Sequence, residues 1–185
     1  DIDVKPLISH KFIVHDAPEA YEKLNDTSSL GIILQYQDAE DSNLKDYVEI
    51  KKNKTSLNKA NVAFVGAGNY SSRVLIPAFK KSGANLTTLV SSGGISAVHN
   101  GKKYGFSKAA TTIEEALDEL TDTVVIATQH HLHASQAINA LKAGKHVFVE
   151  KPLALNLNEI KEIEDAQAES QSMIMVGYNR RFAPH

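Results

Sequence analysis

After residue 60 the apolar positions follow two rhythms. Short unbroken runs at Asn61 to Val65, Asn85 to Val90, Thr123 to Thr128, His146 to Val149 and Met173 to Val176 are rich in β-branched residues and predict strands buried on both faces. Between them the apolar residues recur every three or four positions. That period predicts helices from near Ser71 through Val74, Leu75, Ala78 and Phe79, over Ile95 to Tyr104, from Thr111 through Leu120, over His131 to Ala143 and over Asn156 to Ala168. A shorter extended segment falls near Lys108 to Ala110. Strands alternating with helices at this spacing predict an α/β fold, a Rossmann-type doubly wound parallel sheet. Local signals mark some helix ends. Thr111 with Glu114 and Asn156 with Glu159 read as capping boxes, Gly144 as a C-cap, and Pro77 predicts a kink or early break.

Ahead of this pattern, residues 1 to 36 read as a small appendage: an extended run around Leu7 to Val14, a helix from Asp16 and a second apolar run from Leu30 to Tyr36. Asp16 and Glu19 form a capping box with Pro18 in the first turn, and Ala20, Tyr21 and Leu24 give the helix an apolar side. Residues 37 to 60 read as a solvated linker, with acids first (Asp38, Glu40, Asp41, Asp46, Glu49) and then bases (Lys51, Lys52, Lys54, Lys59). Tyr47, Val48 and Ile50 have the makings of a short edge strand.

The stretch Asn61 to Ser72, NVAFVGAGNYSS, joins the first buried strand to its helix through a glycine turn. Gly66, Gly68 and Ser71 stand at the G-x-G-x-x-G/A positions of a dinucleotide-binding turn. The first permits the tight exit from the strand, the second admits a pyrophosphate close to the backbone, and the small third residue keeps helix against sheet. The helix that follows aims free N–H groups at the phosphates. In an NAD-specific domain a carboxylate ends the second strand and accepts from the adenosine ribose. Here Ser91 and Ser92 stand there, which leans the cofactor from NAD towards NADP within the NAD(P) class.

Composition narrows the partners. A formal charge of -2 over 185 residues offers no field for nucleic acid, and no run approaches the roughly 20 apolar residues of a membrane span. With no cysteine there is neither a disulfide framework nor a thiolate metal site, and the opening DIDVKPLISHKF lacks the layout of a signal peptide. The expected location is cytoplasmic.

In such sheets ligands bind beyond the carboxyl ends of the strands. Besides the glycine turn, two of those ends are rich in chemistry: Thr128-Gln129-His130-His131-Leu132-His133 and Glu150-Lys151-Pro152. Three histidines in four residues invite a metal reading. Adjacent His130 and His131 diverge and no carboxylate or cysteine joins them, so no metal is expected.

The order GAGNY, IATQHHLHA, ALKAGKHVFVEKPLA, VGYNRRFAP closely resembles the glucose-fructose oxidoreductase and inositol dehydrogenase family over Asn61 to Pro184. The resemblance implies cofactor contacts from Gly66, Gly68, Asn69, Tyr70, Ser91, Thr128, His130, His133, Glu150 and Lys151. It makes Lys151 the catalytic lysine that hydrogen-bonds the reacting hydroxyl or carbonyl, sets Glu150 near the nicotinamide ribose and gives Pro152 the turn. The family pattern Thr-Pro-Asn-x-x-His is kept at Thr128 and His133 and broken at Gln129 and His130, which puts His130 where the family has asparagine. Arg180, after the last strand, is either a substrate contact or one of a solvated pair with Arg181. A substrate domain is expected to begin after about residue 178. Separately, PLISHKF, DAPEAYEKL and GIILQY resemble the closing segment of medium-chain, zinc-type alcohol dehydrogenases, which carries no catalytic group.

These features together imply hydride transfer with NAD(P) on a sugar, cyclitol or sugar-nucleotide hydroxyl, with room for a homo-oligomer and with little turnover by this chain alone. The competing readings are a non-catalytic dinucleotide-binding or redox-sensing module and a methyltransferase using the glycine turn for S-adenosylmethionine.

Overall fold

The computed structural model describes residues 3–36, 45–52 and 59–183, and its contacts divide the chain into two units, Asp1–Leu44 and Lys45–His185. In the first unit His10–Ile13 (β1) and Ile32–Gln35 (β2) pair in parallel around Ala17–Glu22 (α1). Both strands alternate. His10, Phe12, Ile32 and Leu34 are half-buried, the residues between them are exposed, and Ala20 is the one fully buried side chain among the unit's described residues. The expected capping box does not form. Asp16 has φ -95° and ψ 20°, not the extended backbone of a capping residue, and its side chain bonds no helix N–H. A 3-10 turn over Val14–Asp16 leads into α1 instead, with Ala17 N–H donating to the Val14 carbonyl. The first strand also starts later than Leu7, because Lys5–Leu7 forms a 3-10 turn around Pro6.

The second unit is built on a seven-stranded sheet of Tyr47–Glu49 (β3), Asn61–Val65 (β4), Asn85–Val90 (β5), Lys108–Ala110 (β6), Thr123–Ile126 (β7), His146–Glu150 (β8) and Ile174–Gly177 (β9), in the order β3-β6-β5-β4-β7-β8-β9. All neighbours are parallel except β3, which runs antiparallel to β6 and closes that edge. Tyr47 and Val48 therefore form an edge strand inside the span read as linker. The acidic residues Asp38, Glu40 and Asp41 and the base Lys54 lie outside the described residues.

Four helices cover the sheet: Ile76–Lys81 (α2), Ile95–Tyr104 (α3), His133–Lys142 (α4) and Leu157–Ser170 (α5). Alternate residues of the central strand serve opposite faces. Ala63 and Val65 pack with Ala137, Leu141, Ile163 and Ala166 of α4 and α5, while Val62 and Phe64 pack with Ile76, Ala97 and Phe106 on the α2 and α3 side. Such strands read as unbroken apolar runs because both faces are covered. The chain winds outwards from β4 in one direction and from β7 in the other, so the reversal lies between these two neighbours.

Helix boundaries show where local signals were overridden. The helix after the glycine turn begins at Asn69, widens into an i to i+5 turn over Ser71–Leu75 and resumes as α2. Pro77 has no N–H to give the Arg73 carbonyl and its ring would crowd it, so the break comes just upstream of the proline. Thr111 opens no helix: its N–H and hydroxyl both donate to the Asp46 carbonyl, at 2.9 and 3.2 Å, and only a 3-10 turn, Ile113–Ala116, follows. A 3-10 turn over His130–Leu132 likewise delays α4 to His133. At α5 the cap works. Asn156 Oδ1 accepts from Glu159 N–H at 3.0 Å, and the Glu159 carboxylate accepts from Leu155 N–H at 2.7 Å.

Candidate active site

The strand reversal puts the glycine turn beside the end of β7. Gly66 has φ +109°, and a Cβ built there would lie 2.3 Å from the Ala127 carbonyl oxygen, so both conformation and space demand glycine. Gly68 is different. A Cβ there would meet nothing within 4 Å; it would project into the open crevice. Ser71 is 1% exposed, which suits the small third position, and its Oγ has no hydrogen-bond partner among the described residues.

Two cavities flank this turn and share Gly68, Ala127 and Thr128 at their border. One, about 540 Å³, reaches Ser91, Ser92, Thr111 and Gln129. The other, about 430 Å³, is bounded by Tyr70, His130, His133, Glu150, Lys151 and Asn179. A pyrophosphate seated at Gly68 on the helix N-terminus would send one nucleoside into each cavity. The fit has a second support. Glu150, 7% exposed, has an Oε1 with no partner among the described residues, a buried acceptor that a ligand hydroxyl would satisfy.

The side chains named from the sequence divide by role. Thr128 donates through Oγ1 to Gln136 at 2.6 Å, so its hydroxyl is committed to α4. His133 is buried between the two loops, with Nδ1 2.7 Å from the Pro152 carbonyl and Nε2 3.2 Å from the Thr128 carbonyl. A neutral imidazole carries one N–H and donates to one of these carbonyls at a time. Either way His133 ties the Lys151 turn to the Thr128 turn. His130 is exposed at the cavity edge, its ring edge-on to His133 at 5.6 Å. Among the described residues no group of three histidines, cysteines or carboxylates could hold a metal ion.

Lys151 is exposed at the cavity mouth, and its bond to Pro152 is cis. Ser91 Oγ lies 2.9 Å from Ser96 Oγ, which anchors the end of β5 to the first turn of α3. Tyr70 accepts a hydrogen bond from Asn179 Nδ2, and its pKa is raised above the ordinary phenol value by burial and then by the charge of Glu150. Arg180 lies exposed in the turn Asn179–Phe182 and lines neither cavity.

Sequence reasoning passed over two contributors. Asn179, just past the last strand, stands in no motif position, yet it lines the cavity with Glu150 and Lys151. Gly177 ends β9 opposite Glu150, and a Cβ there would lie 2.7 Å from Glu150 Oε1, so glycine makes room for the buried carboxylate. The available signal was the glycine itself, in a strand otherwise made of bulky apolar residues.

Among the described residues no helix is long and apolar enough to cross a membrane. The chain is 34% identical over 125 residues to a 4-carboxy-2-hydroxymuconate-6-semialdehyde dehydrogenase of Sphingobium, covering 66% of this chain and 39% of that protein. It is also 34% identical over 82 residues to a myo-inositol 2-dehydrogenase of Thermotoga maritima, covering 44% of this chain and 25% of the relative. Among solved structures it superposes, with TM-score 0.62 and 25% identity, on the WlbA dehydrogenase of Chromobacterium violaceum in complex with NADH and UDP-GlcNAcA, over 66% of this chain and 36% of the other. The chain thus spans about two fifths of these relatives, or less. Residues 60–178 match the family described as an oxidoreductase family with an NAD-binding Rossmann fold, the glucose-fructose oxidoreductase and inositol dehydrogenase group, and the chain belongs to that family.

Proposed function

We propose that this chain binds NAD(P) across the glycine turn and is the cofactor-binding part of an enzyme that transfers hydride from a carbinol carbon, or to a carbonyl carbon, of a sugar-like substrate. The observation that carries this reading is the pair of cavities meeting at Gly68, one of them holding the buried unpaired Glu150 with Lys151 at its mouth. The nicotinamide supplies the hydride donor or acceptor. Lys151 then donates from its ammonium to the reacting oxygen, holding a proton where alkoxide charge develops. Glu150 accepts from a ribose hydroxyl, and Ser91 and Ser92, with no carboxylate beside them, favour the 2′-phosphate of NADP. His130 is the ribose-side contact at the mouth, and Arg180 is left to a substrate group arriving from outside both cavities.

The names of relatives support the substrate class: an inositol dehydrogenase and a dehydrogenase crystallised with a nucleotide sugar. A relative named for a carboxylated semialdehyde broadens that class to other polar hydroxyl or carbonyl compounds. Near-neutral charge supports a small-molecule substrate over nucleic acid, and the absence of cysteine suits a cytoplasmic setting. The parallel strand-helix-strand of residues 10–35 supports its likeness to the closing segment of a medium-chain alcohol dehydrogenase.

Fluorescence titration with NADPH and NADH tests the reading. Saturable binding with NADPH preferred is expected, and no binding of either defeats it. For the chemistry, Lys151→Ala in the full-length protein is expected to leave cofactor affinity within about twofold and to lower hydride transfer from the carbinol carbon of myo-inositol or a nucleotide sugar to the cofactor by about 10²-fold or more. Full turnover by that variant would remove Lys151 from the reaction.

A further inference from the structure

Within the proposed dinucleotide site, one pair of side chains is joined across 109 positions of sequence. Asn179, just beyond β9, donates its amide N–H to the hydroxyl oxygen of Tyr70, on the helix that opens at the glycine turn. Both line the cavity that holds Glu150 and Lys151. An amide N–H can only donate, so the phenol oxygen is the acceptor and its own O–H remains to donate elsewhere. No described residue takes that proton. A phenol of ordinary pKa, about 10, is protonated at neutral pH, and desolvation and then the Glu150 charge raise it further.

Glu150 shows the opposite deficit in the same cavity, a buried acceptor with no donor among the described residues. A ligand entering there therefore meets one unused donor and one unused acceptor. Groups that both give and take hydrogen bonds, such as the hydroxyls of a ribose, complete both. The other cavity ends at Ser91 and Ser92, the strand end that meets the adenosine ribose in this kind of fold, so the nicotinamide nucleoside is the half left for this one.

We propose that Tyr70 and Asn179 form a clasp on the nicotinamide half of the dinucleotide: Asn179 fixes the phenol, and the phenol O–H donates to an oxygen of that half. Tyr70 is the cofactor-contacting residue and Asn179 a positioning residue acting through it. The inference rests on the dinucleotide reading and adds to it Asn179, which lies outside the glycine motif, and a stated direction for each hydrogen bond.

The test is calorimetric titration of the chain and its variants with NADH and with ADP-ribose, which lacks the nicotinamide. Tyr70→Phe keeps the ring and deletes the donor. Asn179→Asp keeps the shape but offers an acceptor, which would draw the phenol proton away from the ligand. Both are expected to weaken NADH by about three- to tenfold, the worth of one hydrogen bond, and to leave ADP-ribose within about twofold. A role confined to packing would let Asn179→Asp behave as the parent.

Unchanged NADH affinity in both variants overturns the clasp while leaving the dinucleotide site standing. Equal weakening of both ligands also overturns it, by showing that the link only supports the glycine-turn helix. Failure of the parent chain to bind NADH, NADPH and ADP-ribose alike overturns the dinucleotide reading, and the clasp with it.

Discussion

Residues 10–35 and 61–90 trace the same path, a strand, a helix and a parallel strand, and end in opposite states of burial. β4 is buried at every position and β5 at all but its first, whereas β1 and β2 alternate between half-buried and exposed. The reason lies in their neighbours. β4 pairs with β5 on one side and β7 on the other and has helices over both faces; among the described residues β1 pairs only with β2, beside a helix of six residues. A parallel pair needs cover on both faces to exclude water from its backbone and side chains. The comparison teaches that connectivity alone does not make a site. A ligand crevice needs strand ends held rigid by a core, as at Gly66 and Ala127.

The largest expected effect is in that core. Phe64 is 0% exposed and meets Phe79 and Phe106 edge-on at 5.4 and 5.8 Å. Phe64→Ala is expected to cost about 3–5 kcal/mol, read as a lower urea midpoint of the main unfolding transition. Phe12→Ala, in the half-buried face of β1, is expected to shift the same transition by less than about 0.5 kcal/mol. A loss above about 1 kcal/mol at Phe12 would mean that the small unit unfolds with the large one, and the contrast would collapse.

Charge sharpens the comparison at smaller amplitude. Lys108 has a side chain 17% exposed and reaches Glu115 at 3.0 Å and Asp118 at 3.1 Å, whereas Lys23 and Asp26 in the small unit sit 3.5 Å apart with 48% and 38% exposure. Burial alone would lower the Lys108 pKa, but the hydrogen bonds and charges of the two carboxylates outweigh it and raise it. A raised lysine pKa adds stability that is fully present below the unfolded value, about 10.4, and is lost as pH rises through the folded value. The gap in urea midpoint between the parent and Lys108→Met should therefore be constant from pH 7 to 9 and narrow in strong alkali. Lys23→Met should show no gap at any pH. A Lys108 gap that closed near neutrality would point to another titrating group.

Much of this was legible from the chain because the relevant signals are local or strongly periodic. The strands β4, β5 and β7 follow from β-branched runs, and the glycine turn from its motif, of which Gly66 tolerates no side chain. What escaped was decided at long range. The capping signal at Thr111 was lost because Asp46, 65 residues away, captured its N–H and hydroxyl. Asn179 entered the cavity only because β9 delivers it opposite Tyr70, and no spacing rule links the two. Arg180, one residue further on, stayed outside for the same reason: a turn decides which of two neighbours faces inwards.

The smallest effect asks whether a capping motif read from sequence is worth anything unless the backbone adopts it. Asn156 and Asp16 carry the same signature, each with glutamate three residues on, yet only Asn156 has extended geometry, φ -149° and ψ 167°, and accepts from the N–H of Glu159. Asp16 lies at φ -95° and ψ 20° and accepts nothing from the helix. Asn156→Ala is expected to cost about 1 kcal/mol in the urea midpoint. For Asp16→Ala the matching readout is hydrogen exchange at the amides of α1, where only a change within about 0.3 kcal/mol is expected, the scale of a surface substitution. Equal losses at both positions would mean that Asp16 caps its helix in solution after all. The small unit would then be more ordered than its burial implies, and its difference from the sheet unit would rest on packing alone.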